Sequence, residues 1–189
     1  SSDRYNPTWS DIVVGCEACH GPGSTHVEWA QMSDMARPEK DNYELLQKTS
    51  DITSRELVEI CAPSHSRRGT MADDIHVKSD LMNNYLPSLL SEGLYFADGQ
   101  IQDEVYVYGS FIQSKMYRHD VRCSDCHEVH SIKLVKEGNE LCLQCHRAAQ
   151  YDTSEHHFHK QKGEEGEPIK SAEGEVLFEV GSGALCAEC

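Results

Sequence analysis

Residues 123–146 read CSDCHEVHSIKLVKEGNELCLQCH. A Cys-x-x-Cys-His unit opens the stretch and another closes it, with their first cysteines 19 residues apart. The spacing has one well-defined chemical use, the attachment of c-type haem. On a helical turn, positions i and i+3 share a face and i+4 lies beside them. Two thiols placed so reach the two vinyl groups of one porphyrin, and the histidine comes under the iron as proximal ligand. A chain that holds several such groups builds its interior from them, so this stretch decides what kind of fold to expect.

The same unit recurs on both sides. Cys16-Glu17-Ala18-Cys19-His20 is complete, as are Cys123 to His127 and Cys142 to His146. Cys61-Ala62-Pro63-Ser64-His65 has serine where the second thiol belongs. Cys186-Ala187-Glu188-Cys189 has both thiols and then the sequence stops. All nine cysteines fall in these five units. Paired Cys-x-x-Cys units also build zinc sites, but zinc gives no reason for a histidine directly after each pair. A disulfide framework is disfavoured by the odd cysteine count, and it too leaves the histidines unexplained.

Histidine use agrees. Of eleven histidines, His20, His65, His127 and His146 follow the cysteine units. Seven remain as candidate second axial ligands: His26, His76, His119, His130, His156, His157 and His159. The cluster Glu155-His156-His157-Phe158-His159 also suits copper or zinc by itself, but a supply of distal ligands for the neighbouring sites is the stronger reading.

Composition narrows the class. The chain has 189 residues, 38% of them hydrophobic, and a formal net charge of −15. That aliphatic content is low for a packed core of this length. The acidic balance argues against nucleic acid, which selects basic surfaces, and against anionic membranes. No apolar run approaches the ~20 residues of a membrane span, and no signal peptide is visible. The abrupt ends, SSDRYNPTWS and GALCAEC, suggest part of a longer polypeptide in which a histidine follows Cys189.

Along the chain, three sub-regions of one domain are expected, 1–70, 71–150 and 151–189. In the first, Ser24 or Thr25 caps a short helix that carries His26 in its first turn. Leu57, Val58 and Ile60 run as helix into Cys61, with a boundary at Pro63, and Arg67 and Arg68 either neutralise haem propionates or form a solvated basic pair. In the second, Asp98-Gly99 marks a turn and 110–118 reads as one helix. Tyr85, Tyr95, Tyr106, Tyr108 and Tyr117 are expected to pack on haem. The two motifs of 123–146 should lie close in space. In the third, 162–180 reads as a solvated loop or small hairpin.

VGCEACHGPGSTHV (14–27) resembles the haem segment of multihaem cytochromes c related to the tetrahaem nitrification cytochrome. EGLYFADGQIQDEVYVYGSFIQSKMYRHDVRCSDCH (92–127) and YDTSEHHFH (151–159) are similar to the central part of large multihaem cytochromes with tetratricopeptide repeats. The resemblance covers most of residues 9–160. It implies covalent haem c, bis-His ligation and electron transfer outside the cytoplasm. By motif it carries over Cys16, Cys19 and His20; Cys123, Cys126 and His127; and Cys142, Cys145 and His146. It also implies distal roles for His26, His130 and one of His156, His157 or His159. Ser64 departs from the family pattern, as does the long segment 161–185.

The expectation is therefore a mainly α protein with extensive irregular loops, its core formed by about five haems. One is singly tethered at Cys61; weak or absent haem, or an engineered change at Ser64, are the alternatives. Another sits on Cys186 and Cys189. The function expected is electron transfer as a periplasmic or extracellular shuttle, conduit domain or assembly unit. Its partners would be redox proteins, other multihaem cytochromes or copies of itself. The alternative is a multihaem oxidoreductase acting on a small nitrogen or sulfur compound at an open-coordination haem. No Cys-x-x-Cys-Lys motif, typical of one such class, is present.

Overall fold

The computed structural model describes residues 14–72 and 80–188, which leaves His76 and Cys189 outside the described residues. Helix outweighs strand, 37% to 11%, and most of the rest is turn and irregular chain. The mainly α expectation fits loosely. The chain divides into two compact units, Ser1–Cys123 and Ser124–Cys189.

The first unit begins with two short helices, α1 (Glu17–His20) and α2 (Ser24–Ala30). No side chain caps α2; Gly23 occupies the N-cap, and Thr25 instead donates to the Glu44 carbonyl at 3.1 Å. Among the described residues the longest helix is α3 (Ser54–His65). Thr53 accepts from the Glu56 backbone N–H at 3.2 Å while the Glu56 carboxylate accepts from the Thr53 N–H at 2.7 Å. That reciprocal capping box satisfies donors the first turn leaves open. Ser54, Leu57, Val58 and Ala62, at i, i+3, i+4 and i+8, form the buried stripe.

The expected boundary at Pro63 does not occur, because α3 continues through it to His65. Proline removes one backbone donor, and this one falls two residues before the helix ends. Ser66 then donates its hydroxyl to the Ala62 carbonyl at 2.6 Å, occupying an acceptor of the last turn. Strand β1 (Arg68–Thr70) follows, then α4 (Leu81–Asn84) and β2 (Tyr85–Pro87). The two strands pair antiparallel, with Gly69 opposite Leu86. The Leu81 N–H is held by the Glu59 carboxylate of α3.

The single helix expected over 110–118 is two: α5 (Tyr108–Gln113) and α6 (Lys115–Arg118). Ser114 separates them in extended conformation and caps α6 through Tyr117 N–H at 3.1 Å. Val58, Ala62, Leu81 and Tyr85 form the centre, with Tyr108, Phe111, Ile112, Tyr117 and Cys123 packed against it. Tyr85 and Tyr95 are buried, 4% and 6% exposed. The turn at Asp98-Gly99 is present, with Gly99 at φ +89° and its N–H on the Phe96 carbonyl.

Helix α7 (Cys123–Cys126) carries the chain into the second unit. There β3 (His127–Glu128) pairs antiparallel with β4 (Lys133–Leu134). Three one-turn helices follow: α8 (Glu140–Leu143), α9 (Ala148–Tyr151) and α10 (Ser154–His157). The acidic segment forms a small hairpin, β5 (Ile169–Lys170) with β6 (Val176–Phe178). A 3-10 turn over Ser182–Ala184 leads to Cys186.

Candidate haem-attachment sites

Two of the motifs are single helical turns closed in the same way. In the first, His20 N–H donates to the Cys16 carbonyl at 3.0 Å; in the other, His146 N–H donates to the Cys142 carbonyl at 3.0 Å. Both i→i+4 bonds place thiol, thiol and imidazole along one side of the turn. Cys16, Cys19 and Cys145 are exposed and Cys142 is half-buried; none is in a disulfide. Paired thiols beside an imidazole fit covalently attached haem, and Cys16–His20 and Cys142–His146 supply that donor set. The 123–127 motif differs from the helical expectation. Its helix ends at Cys126, and His127 opens β3 opposite Leu134.

Helix α3 carries the incomplete motif. Cys61, Ser64 and His65 lie at i, i+3 and i+4 of a continuous helix, with Ser64 and His65 exposed. Cys61 is half-buried and its thiol bonds with that of Cys123. That hydrogen bond, together with burial, pushes the Cys61 thiol well above the ordinary range. The pairing follows from the packing of α3. Ser54 N–H donates to the Asp120 carboxylate at 2.6 Å and its hydroxyl to the Val121 carbonyl at 2.6 Å, which ties α3 to the segment entering Cys123. Arg67 bonds the Glu104 carbonyl at 3.1 Å and pairs with Asp103 at 3.7 Å; Arg68 rests over the Tyr85 ring at 4.4 Å. Both arginines therefore have protein partners.

In the second unit Cys186 and Cys142 are neighbours, and burial first, then Cys142, raises the Cys186 thiol. Asn139, which the sequence reading passed over, organises this region. Its amide N–H groups donate to Asp152 at 2.8 Å and to the Ala184 carbonyl at 2.9 Å, while its oxygen accepts the Cys186 N–H at 2.8 Å. The start of α8 is so tied to the start of the last motif. The two motifs of 123–146 also approach one another, with the Gln144 amide 3.5 Å from the Asp125 carbonyl.

Among the candidate second ligands, His26 is held by a backbone carbonyl. Its Nδ1 lies 2.7 Å from the Tyr43 carbonyl. A carbonyl only accepts, so the proton sits on Nδ1 and the Nε2 lone pair is left for a metal. The carbonyl is aimed by a left-handed turn of three consecutive non-glycine residues, Asn42, Tyr43 and Glu44, at φ of 50°, 54° and 62°. Asn42 holds the turn through the carbonyls of Leu45 and Gln47, and Lys40 pairs with Glu44 at 2.7 Å. Gln47 N–H in turn donates to the His20 carbonyl at 3.1 Å, which links the first motif to this turn. His119 is exposed at the end of α6. His130 approaches the Glu128 carboxylate at 3.5 Å. Among the described residues no group of three His, Cys, Asp or Glu comes together as a metal cage.

Residues 117–151 match the family described as the doubled CXXCH motif. The match supports a multihaem c-type cytochrome. In such a protein the doubled motif implies haem c, iron binding and electron transport. No curated protein and no solved structure matches the chain. Among the described residues no helix is long and apolar enough to cross a membrane.

Proposed function

We propose that this cytochrome moves single electrons through about five closely packed haems, mostly with two histidines per iron. The observation that carries the reading is the doubled motif at 117–151, repeated in sequence at Cys16–His20 and in part at Cys61–His65 and Cys186–Cys189. Bound haem supplies a reversible one-electron iron couple. The chain's residues hold and tune it. Cys16 with Cys19, Cys123 with Cys126, and Cys142 with Cys145 would hold haem in pairs through thioethers, and His20, His127 and His146 would ligate its iron. Cys61 would give a single thioether with His65 as ligand, and Cys186 with Cys189 the last pair. Second ligands are drawn from the candidates His26, His76, His119, His130 and one of His156, His157 or His159.

Haems as the core are supported by the small apolar interior, eight buried hydrophobic residues among the described ones. The finer kinship is with tetrahaem nitrification cytochromes and the haem region of tetratricopeptide-containing multihaem cytochromes. Location is periplasmic or extracellular, and partners are redox proteins, including other multihaem cytochromes or copies of this chain. A second reading, an oxidoreductase for a small nitrogen or sulfur compound, is favoured by one feature, the incomplete motif at Cys61 and His65.

Intact mass after acid denaturation, beside the alkaline pyridine spectrum, tests the proposal. Five covalent haems, one shifted to the red as a singly linked haem is, support it. A colourless chain at the mass of the polypeptide overturns it.

A further inference from the structure

Three histidines stand within four residues, His156, His157 and His159, and the structure treats them differently. Helix α10 ends at Phe158, a non-glycine residue at φ +59°. That left-handed turn swings His159 back beneath His157, their rings stacked at 6.2 Å and 18°. The backbone N–H of His159 donates to His157 Nδ1 at 3.1 Å. On the other side of the same ring, Nε2 lies 3.1 Å from the Gln161 side-chain amide.

An imidazole carries one lone pair when neutral and none when protonated. His157 meets a donor at each ring nitrogen, the His159 N–H at Nδ1 and, at Nε2, the Gln161 amide nitrogen, which also donates to the Asp152 carbonyl at 3.5 Å, so one of the two takes its single lone pair and the other nitrogen carries the proton. Both nitrogens are then engaged, and neither has a lone pair for iron. Among the described residues no hydrogen bond reaches the ring nitrogens of His156 or His159. His156 meets only the edge of Tyr151, at 5.1 Å and 87°, and Tyr151 in turn meets His146 at 5.2 Å and 83°. His159 is fixed on three sides: by its backbone bond, by the His157 ring and by Gly183. A Cβ at Gly183 would come within 2.6 to 2.9 Å of the His159 ring, so the ring's seat requires glycine there.

We infer that His159 is the iron ligand of this cluster and that His157 is the positioning residue that aims it. The inference rests on the haem reading above. A ligating histidine held through the groups around it is the usual design of a metal site, and here one histidine orients another.

The test uses the full haem-loaded chain. The pyridine spectrum of the unsubstituted protein comes first, and absence of covalent haem there sinks the haem reading itself. With haem present, His159→Ala is expected to convert one haem per chain to a form that binds carbon monoxide when reduced. His156→Ala and His157→Ala are expected to leave all haems closed to carbon monoxide. His157→Ala shifts the midpoint potential of one haem. His157→Asn is expected to restore it, because the Asn oxygen accepts the His159 N–H. Should His159→Ala fail to accumulate, His159→Met keeps an axial donor and is expected to raise one midpoint potential. Carbon monoxide binding after His157→Ala or His156→Ala, with none after His159→Ala, overturns the assignment while leaving the haem reading intact. So does a single raised potential in His157→Met with none in His159→Met.

Discussion

Ser64 differs from a motif cysteine by one atom, and its surroundings show why the difference is confined. The side chain is exposed on α3, while Cys61 and His65 keep the helical positions that a complete motif would give them. Ser64→Cys therefore disturbs no packing and is expected to move the pyridine band of one haem to the blue, as a second thioether forms. An unchanged spectrum would mean that no haem sits at Cys61. The Cys61 thiol itself has a measurable signature in the haem-free chain. Its bond to Cys123, and burial, favour the protonated form, and the thiolate is the species that alkylates. Cys61 is expected to react with iodoacetamide more slowly than exposed Cys145 at pH 8, and Cys123→Ala to speed it. The sign for stability follows. A thiol raised in the folded state contributes stability that is present below its unfolded value, near 9.0, and lost as pH rises through the folded value. Peptide mapping with isotopically paired alkylation reads the rates, and equal rates at Cys61 and Cys145 would contradict the contact.

At the scale of elements, two small networks hold the motifs in place. Thr53 and Glu56 start the helix that presents Cys61 and His65. Thr53→Ala is expected to cost about 1 kcal/mol in urea unfolding, with Thr53→Ser recovering most of it; an unchanged midpoint would show that the cap adds nothing. Asn139 makes three hydrogen bonds that join α8, α9 and the lead into Cys186. Asn139→Ala strands the Cys186 N–H and the Ala184 carbonyl, at a cost on the order of 1–3 kcal/mol. Amide exchange should quicken at Cys186 before it does at Met82. The capping box was legible in Thr53-Ser54-Arg55-Glu56, since the T-x-x-E spacing is local. Asn139 was not, because two of its partners lie 45 and 47 residues away. The break at Ser114 is intermediate, a serine whose cap competes with helix continuation and wins only because α6 needs a start.

For the whole molecule, the motifs were legible and the frame around them was not. Cysteine spacing names its own chemistry, whereas the left-handed turn at Asn42–Glu44 that orients His26 follows from no periodicity. The protein contacts of Tyr85 were hidden for a related reason. Tyr85 lies opposite Thr70 in a strand pair and packs on Val58 and Ala62 from a distant helix, contacts that composition does not encode. Charge, by contrast, is additive and is read directly from sequence. A net −15, made more negative by haem propionates, gives the protein a field that attracts cationic proteins and repels anionic ones. Electron exchange with a small basic redox protein is therefore expected to slow as ionic strength rises, most steeply below about 0.1 M, where the Debye length exceeds ~10 Å. With an acidic partner the slope should reverse. Stopped-flow mixing over a salt series measures both. A rate indifferent to salt with either partner would show that transfer uses a local surface whose charge departs from the average, and the candidate would then be the basic run Lys115–Arg118 of α6, to be tested by Lys115→Glu.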